Sequence, residues 1–244
     1  MGSSAELLRR VFDTYGACVS YVDEGEVVRV FHTARGDRET RLPFQTLFAR
    51  PDRFRYQFAH KEMDSRYVVW TEESDAMSWW SLQPQVRRSE SITHALAGPA
   101  GISGGSAFEV PSLLLRISPF ESSWLANKFA AAEDAGREVI DGVDTIKLHL
   151  VNPNEEFEEP RVLPADILNQ GAASGGPPLP KLHATRWEWR SLWIADADAT
   201  IRRKAERINF GAHVVEATTA WRSQMNQTID SEGFGFVPPN AARA

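Results

Sequence analysis

From Arg53 to Phe58 the chain reads Arg-Phe-Arg-Tyr-Gln-Phe, a polar and an aromatic residue in strict alternation. Only an extended backbone, whose side chains point to opposite faces in turn, gathers the rings of Phe54, Tyr56 and Phe58 on one side. Such a strand presents unpaired N–H and C=O groups along both edges, so the rest of the chain has to supply neighbours. Residues 27–31 and 40–48 are rich in β-formers and lead to a turn at Pro51-Asp52, and residues 67–70, 77–82 and 85–89 follow as further short strands. A second series comprises residues 137–140 and 145–151 around Asp141-Gly142, a strand with Trp187, Trp189 and Trp193 on one face and Arg186, Glu188 and Arg190 opposite, and residues 200–210 and 213–222 turning at Gly211. Strands in close succession predict a mainly β (α+β) chain of about ten or eleven antiparallel strands, strongly curved and closed by helices. We read residues 1–244 as one domain.

Two segments depart from the period of two. Residues 5–16 carry Leu7, Leu8, Val11, Phe12 and Tyr15 at helical spacing before Gly16. In residues 91–127, Ser91 is placed to cap a short helix through Leu96, broken by Gly98, Pro99, Gly101, Gly104 and Gly105. A second helical piece at residues 111–117 carries Leu113, Leu114, Leu115 and Ile117, apolar around too much of its girth for a surface helix. It is expected to be buried, and its glycine flanks suit a lid with hinges. Residues 152–184, with Glu155, Glu156, Glu158 and Glu159 and then Gly175-Gly176-Pro177-Pro178, are expected to form an inserted acidic loop.

No catalytic constellation emerges. Gly101-Ile102-Ser103-Gly104-Gly105 fits Gly-x-Ser-x-Gly, with Asp141 or Asp144 and His149, His183 or His213 following, but the buried parallel strand that a nucleophile elbow needs does not precede Ser103. The six histidines have no metal-binding spacing, and the glycine run lacks the Lys-Ser/Thr of a phosphate loop, so neither metal nor cofactor is expected. The single cysteine, Cys18, excludes an intrachain disulfide. With 27 basic against 33 acidic residues, a net charge of −6 disfavours nucleic acid. Arg202, Arg203, Lys204 and Arg207 read as a solvated strand face. No apolar run approaches the roughly 18–20 residues of a spanning helix, and no leader peptide is visible.

The aromatic faces are what remain: they either pack a core or line an apolar cavity beneath the helical segment. Three motifs bear on the choice. Phe48-Ala49-Arg50-Pro51-Asp52-Arg53-Phe54-Arg55 resembles the Arg-Pro-x-x-Phe signature of the LolA-type lipoprotein carriers of the bacterial periplasm. Asp75, Trp80 and Pro84 keep the spacing of that family's hairpin, with Ala76 where glycine is usual, and Phe234-Gly235-Phe236-Val237-Pro238-Pro239 resembles its closing Phe-x-Phe-x-Pro-Pro. The resemblance implies an incomplete β-barrel closed by helices, a periplasmic location, and a cavity for the acyl chains of a lipid or lipoprotein, with no cofactor or covalent step. Phe54, Tyr56, Phe58, Trp70, Trp80, Leu113, Leu114, Leu115, Trp187 and Trp189 become the candidate lipid-binding residues, and Arg50 takes the place of the arginine that holds the lid shut. The fold also occurs as a sensor domain in envelope-stress regulators, so an envelope protein partner is the alternative.

Overall fold

The computed structural model describes residues 3–73, 75–126, 131–151, 186–211 and 213–239. The expected loop at residues 152–184 lies outside them. The leading helix, α1 (Ser4–Ala17), starts in a capping box: the Ser3 side chain accepts from the Glu6 N–H while the Glu6 carboxylate accepts from the Ser3 N–H. It runs one residue beyond Gly16 and buries Leu7, Leu8, Val11 and Tyr15.

Six strands follow as a meander: β1 (Ser20–Thr33), β2 (Gly36–Ala49), β3 (Arg53–His60), β4 (Ser65–Glu72), β5 (Asp75–Trp80) and β6 (Gln83–Ser89). After the helices α2 (Ile92–Ala100) and α3 (Glu109–Leu114) come β7 (Ala131–Ile140), β8 (Val143–Val151), β9 (Arg186–Ala195), β10 (Ile201–Asn209) and β11 (Val214–Met225). All eleven join one antiparallel sheet in the order β6-β5-β4-β3-β2-β1-β11-β10-β9-β8-β7. Each half of the chain is a meander of neighbours, and the β1–β11 ladder joins them. The sheet curls over the helices, and β6 and β7 remain its two edges, which makes it the incomplete, strongly curved antiparallel barrel that was expected.

The inner face and the three helices share one core containing Leu42, Phe44, Phe48, Leu96, Val110, Leu113, Leu192, Ile194 and Trp221. Curvature brings inward side chains of neighbouring strands together, and one position yields for it. A Cβ on Gly25 would lie 2.2 Å from the Phe44 ring and 2.4 Å from the Ala220 carbonyl. The bare backbone there lets Phe44 cross β1 and meet Trp221 edge-on at 6.2 Å.

Three expectations need correction. Neither interrupting helix keeps its expected bounds: the first does not stop at Leu96, because Gly98 and Pro99 are accommodated in its final turn, and the second runs from Glu109 to Leu114 and is over before Arg116, whose φ is 49°. Lys204 does not belong to a solvated face, being 1% exposed on the inner side of β10. The three tryptophans of β9 do not share a face. Trp189 pairs with Arg207 but Trp187 pairs with Ile208, so the strand carries a bulge at Glu188. The extra residue reverses the phase, leaving Trp187 inward with Arg190 and turning Trp189 and Trp193 outward beside Arg207 and Arg203.

Candidate functional site

The site is built around α3, which bridges the concave face of the sheet. Gly104 and Gly105 enter it with φ of 68° and 94°, a left-handed path that favours glycine. The bare Gly105 also makes room for Glu109, whose carboxylate oxygen stands 2.8 Å from where a Cβ would be. Glu109, the first residue of the helix, reaches the Lys204 ammonium on β10. Lys204 also donates to Glu206 at 2.7 Å, and Glu206 accepts in turn from Arg190 Nε at 2.8 Å and Trp187 Nε1 at 3.3 Å. Two cations and two carboxylates thus balance inside the barrel, and all four residues are buried.

The carboxylates are not equivalent. Burial opposes both charges, but the combined pull of Lys204 and Arg190 overcomes it at Glu206 and holds that carboxyl at about 2. At Glu109 burial prevails over Lys204, with Glu206 adding repulsion, and the carboxyl is raised; its Oε2 has no partner among the described residues. Trp124 Nε1 donates to the Glu109 carbonyl at 2.9 Å and fastens the start of the helix.

Arg50 fastens the other end. Its Nη2 donates to the Leu114 carbonyl at 3.1 Å and to the Gly16 carbonyl at 2.7 Å, and its Nε donates to the Cys18 carbonyl at 2.8 Å. One guanidinium thereby ties α3 to the end of α1. Between these two attachments, Val110, Leu113 and Leu114 are fully buried and Leu115 packs at the core margin.

The remaining sequence-derived candidates divide between the two faces. Phe54, Tyr56 and Phe58 are all buried on the inner face, and Trp80 joins them at its margin by way of Tyr67, 6.1 Å between ring centres. Trp70 is one strand position out of phase with this set. It lies on the outer face in a separate cluster with Val68 and Trp79, capped by Phe236 at 5.2 Å. Trp189 is likewise outside, for the reason given above, while Trp187 donates to the buried network. In this state the inner aromatic face is filled by the chain's own side chains.

Polar groups within the core were not singled out from sequence. Asp23 is fully buried on β1, accepting from the Tyr21 hydroxyl at 2.8 Å and the Thr46 N–H at 2.7 Å, and burial raises its carboxyl to about 7. The Tyr56 hydroxyl meets Ser106 Oγ at 2.7 Å. A signal for Asp23 did exist: Tyr21, Asp23, Gly25 and Val27 share one phase of β1, so the acid falls on the inner face. Ser103 is also fully buried, accepting from the Ala107 N–H at 3.1 Å, so its hydroxyl serves a turn. His149 lies on the outer face of β8 beside Ser191, away from Ser103, and no hydrolase triad assembles among the described residues.

The core opens below α1. A cleft of about 600 Å³ lies between that helix and the β7–β8 hairpin, with Leu7, Ile146 and Leu148 as its apolar lining and Arg10, Arg137 and Asp196 at its rim. No helix among the described residues is long and apolar enough to cross a membrane.

No protein-family model and no curated protein matches the sequence. Solved structures similar in fold include a LolA superfamily protein of Nitrosomonas europaea, 9% identical over 97% of this chain and 99% of that one, with a TM-score of 0.31. LprF of Mycobacterium bovis is 12% identical over 94% and 97% of the two chains, with a TM-score of 0.41. The Pseudomonas aeruginosa MucA/MucB complex is 8% identical over 96% of this chain and 60% of that one, at 0.46. The likeness is one of fold.

Proposed function

We propose that this chain is a non-enzymatic, extracytoplasmic carrier that holds the acyl chains of a lipid or lipoprotein between the inner face of its curled sheet and α3. The observation that carries this reading is the way α3 is attached. A six-residue helix that buries Val110, Leu113 and Leu114 lies over the aromatic face, entered through two glycines and fastened at its ends by Glu109 and by Arg50. Displacing it exposes Val110, Leu113 and Leu114, at a cost of roughly 2 kcal/mol each. An acyl chain that buries about 300 Å² returns a similar sum at about 25 cal/mol per Å², so the apolar part of the exchange is nearly balanced, and the attachments at Glu109 and Arg50 set the threshold for opening.

Native mass spectrometry of the full chain mixed with a diacyl phospholipid tests this. A one-to-one adduct that an Arg50→Leu variant forms at lower lipid concentration is the expected result. No adduct with either protein overturns the reading.

A second reading, an interaction or sensor module with a solid core, is favoured by the filled inner face. It assigns partner capture to the acidic residues 152–184. Their deletion is expected to leave a phospholipid adduct intact if the chain is a carrier, whereas loss of capture of an envelope protein, with no adduct in either form, supports the module.

A further inference from the structure

The β1–β2 and β10–β11 turns mark the end of the half-barrel opposite the cleft, whose Asp196 follows β9 at the other end of β10. The inward side chains at this end do not close over. Phe31, Phe210 and His213 are half-buried, with His213 stacked on Phe210 at 5.1 Å and tilted against Phe31 at 6.2 Å.

Beneath this aromatic collar, two residues along β1, Arg29 faces inward. Its Cδ lies against the path of the chain into α3, 3.5 Å from where a Cβ on Gly104 would stand. The guanidinium packs on the Phe31 ring at 5.3 Å, and its shielded Nε has no hydrogen-bond partner among the described residues. Burial lowers its pKa from the ordinary arginine value, and no carboxylate among the described residues offsets the effect. Thr40 stands directly across on β2, 4% exposed, its hydroxyl also without a partner.

Among the described residues, the charged groups next to this pair on the inner face and at its rim are already committed. Reading across the sheet from Arg29, through Ala217, the next inward residue is Glu206, which Lys204, Arg190 and Trp187 occupy. Arg38, opposite Phe31, is paired with Glu62. A half-buried guanidinium without a counter-charge is costly, and the cost is removed by an anion that it can grip with several N–H groups at once. Phosphate oxygens suit that fork, and one of them can accept the Thr40 hydroxyl.

We infer that Arg29 and Thr40 bind the phosphate head of an anionic amphiphile whose chain enters the barrel through the collar of Phe31, Phe210 and His213. This rests on the carrier reading and adds to it the headgroup class and the end of the barrel at which the head sits.

The test titrates the wild-type chain, Arg29→Gln and Thr40→Val with dihexanoyl phosphatidylglycerol, with dihexanoylglycerol, which has the same chains and no phosphate, and with inorganic phosphate. The expected result is about tenfold tighter binding of the phospholipid than of the diacylglycerol by wild type, as charge-assisted hydrogen bonds provide. Arg29→Gln should lose that margin and keep its diacylglycerol affinity, and Thr40→Val should lose severalfold in the same direction. Thr40→Val decides if Arg29→Gln does not fold. Equal phospholipid affinity across the three proteins overturns the inference and leaves the carrier reading standing, whereas no binding of either lipid by wild type overturns both. Inorganic phosphate binding as tightly as the phospholipid assigns the site to free phosphate and overturns the amphiphile.

Discussion

Asp23 shows how a single buried group can set a property of the whole chain. Its carboxyl titrates near 7 in the fold and near 3.8 when solvated, because burial disfavours the charge and the Tyr21 hydroxyl and Thr46 N–H compensate only in part. The folded state therefore holds a proton that the unfolded state releases, and between those two values stability falls as pH rises. The contribution is fully present below about pH 4 and lost above about pH 7, amounting to about 4 kcal/mol. Asp23→Asn cannot titrate, so urea unfolding from pH 4 to 8 is expected to show the wild type losing that amount relative to the variant. Parallel stability profiles for the two proteins would show that Asp23 is charged throughout. Sequence exposes the phase of Asp23 on β1 but not its burial, since the depth of an inward position depends on what the sheet curls around.

At the scale of elements, the lid shows how far local patterning reaches. The apolar girth of residues 111–117 places a buried helix in this stretch, although the helix starts earlier, at Glu109, and ends at Leu114, and the motif around Arg50-Pro51 brings an arginine to it. The partner at the other end was not legible, because Glu109 and Lys204 stand 95 residues apart and each reads as an ordinary surface charge. Arg50→Leu strands the carbonyls of Gly16, Cys18 and Leu114 while leaving the strand ladders intact. The variant is expected to fold, to lose roughly 1.5–3 kcal/mol, and to exchange the amide hydrogens of residues 109–117 about tenfold faster. Unchanged protection in that segment would show that Glu109 and packing alone hold the helix.

For the whole molecule, the two meanders are complete only when distant parts of the chain meet. Phe236 crosses the outer face of β3–β5, lying 5.2 Å from Trp70 and 5.3 Å from Trp79, with Arg55 and Arg66 over its ring at 5.6 and 5.5 Å. Arg55 also donates to the carbonyls of Gly233 and Gly235, so the closing motif is a strap over the sheet. Phe236→Ala is expected to cost about 2–3 kcal/mol and to shift tryptophan emission to the red as Trp70 and Trp79 meet water. An unchanged emission maximum would mean that the strap stays seated without its ring.

By itself the sequence determined what is local and periodic: the strand at Phe54, Tyr56 and Phe58, the hairpins, the amphipathic leading helix and the apolar bridging one. These follow from side-chain alternation and turn chemistry within a few residues. Only the tertiary structure decided which face of each strand became the inside. The bulge at Glu188 sends Trp189 outward and keeps Trp187 with the buried charges, and the phase of β4 gives Trp70 to Phe236 instead of to the lid. A strand period names two faces and is silent on which one is covered, because that is settled by the curl of the sheet and by residues far away in the chain.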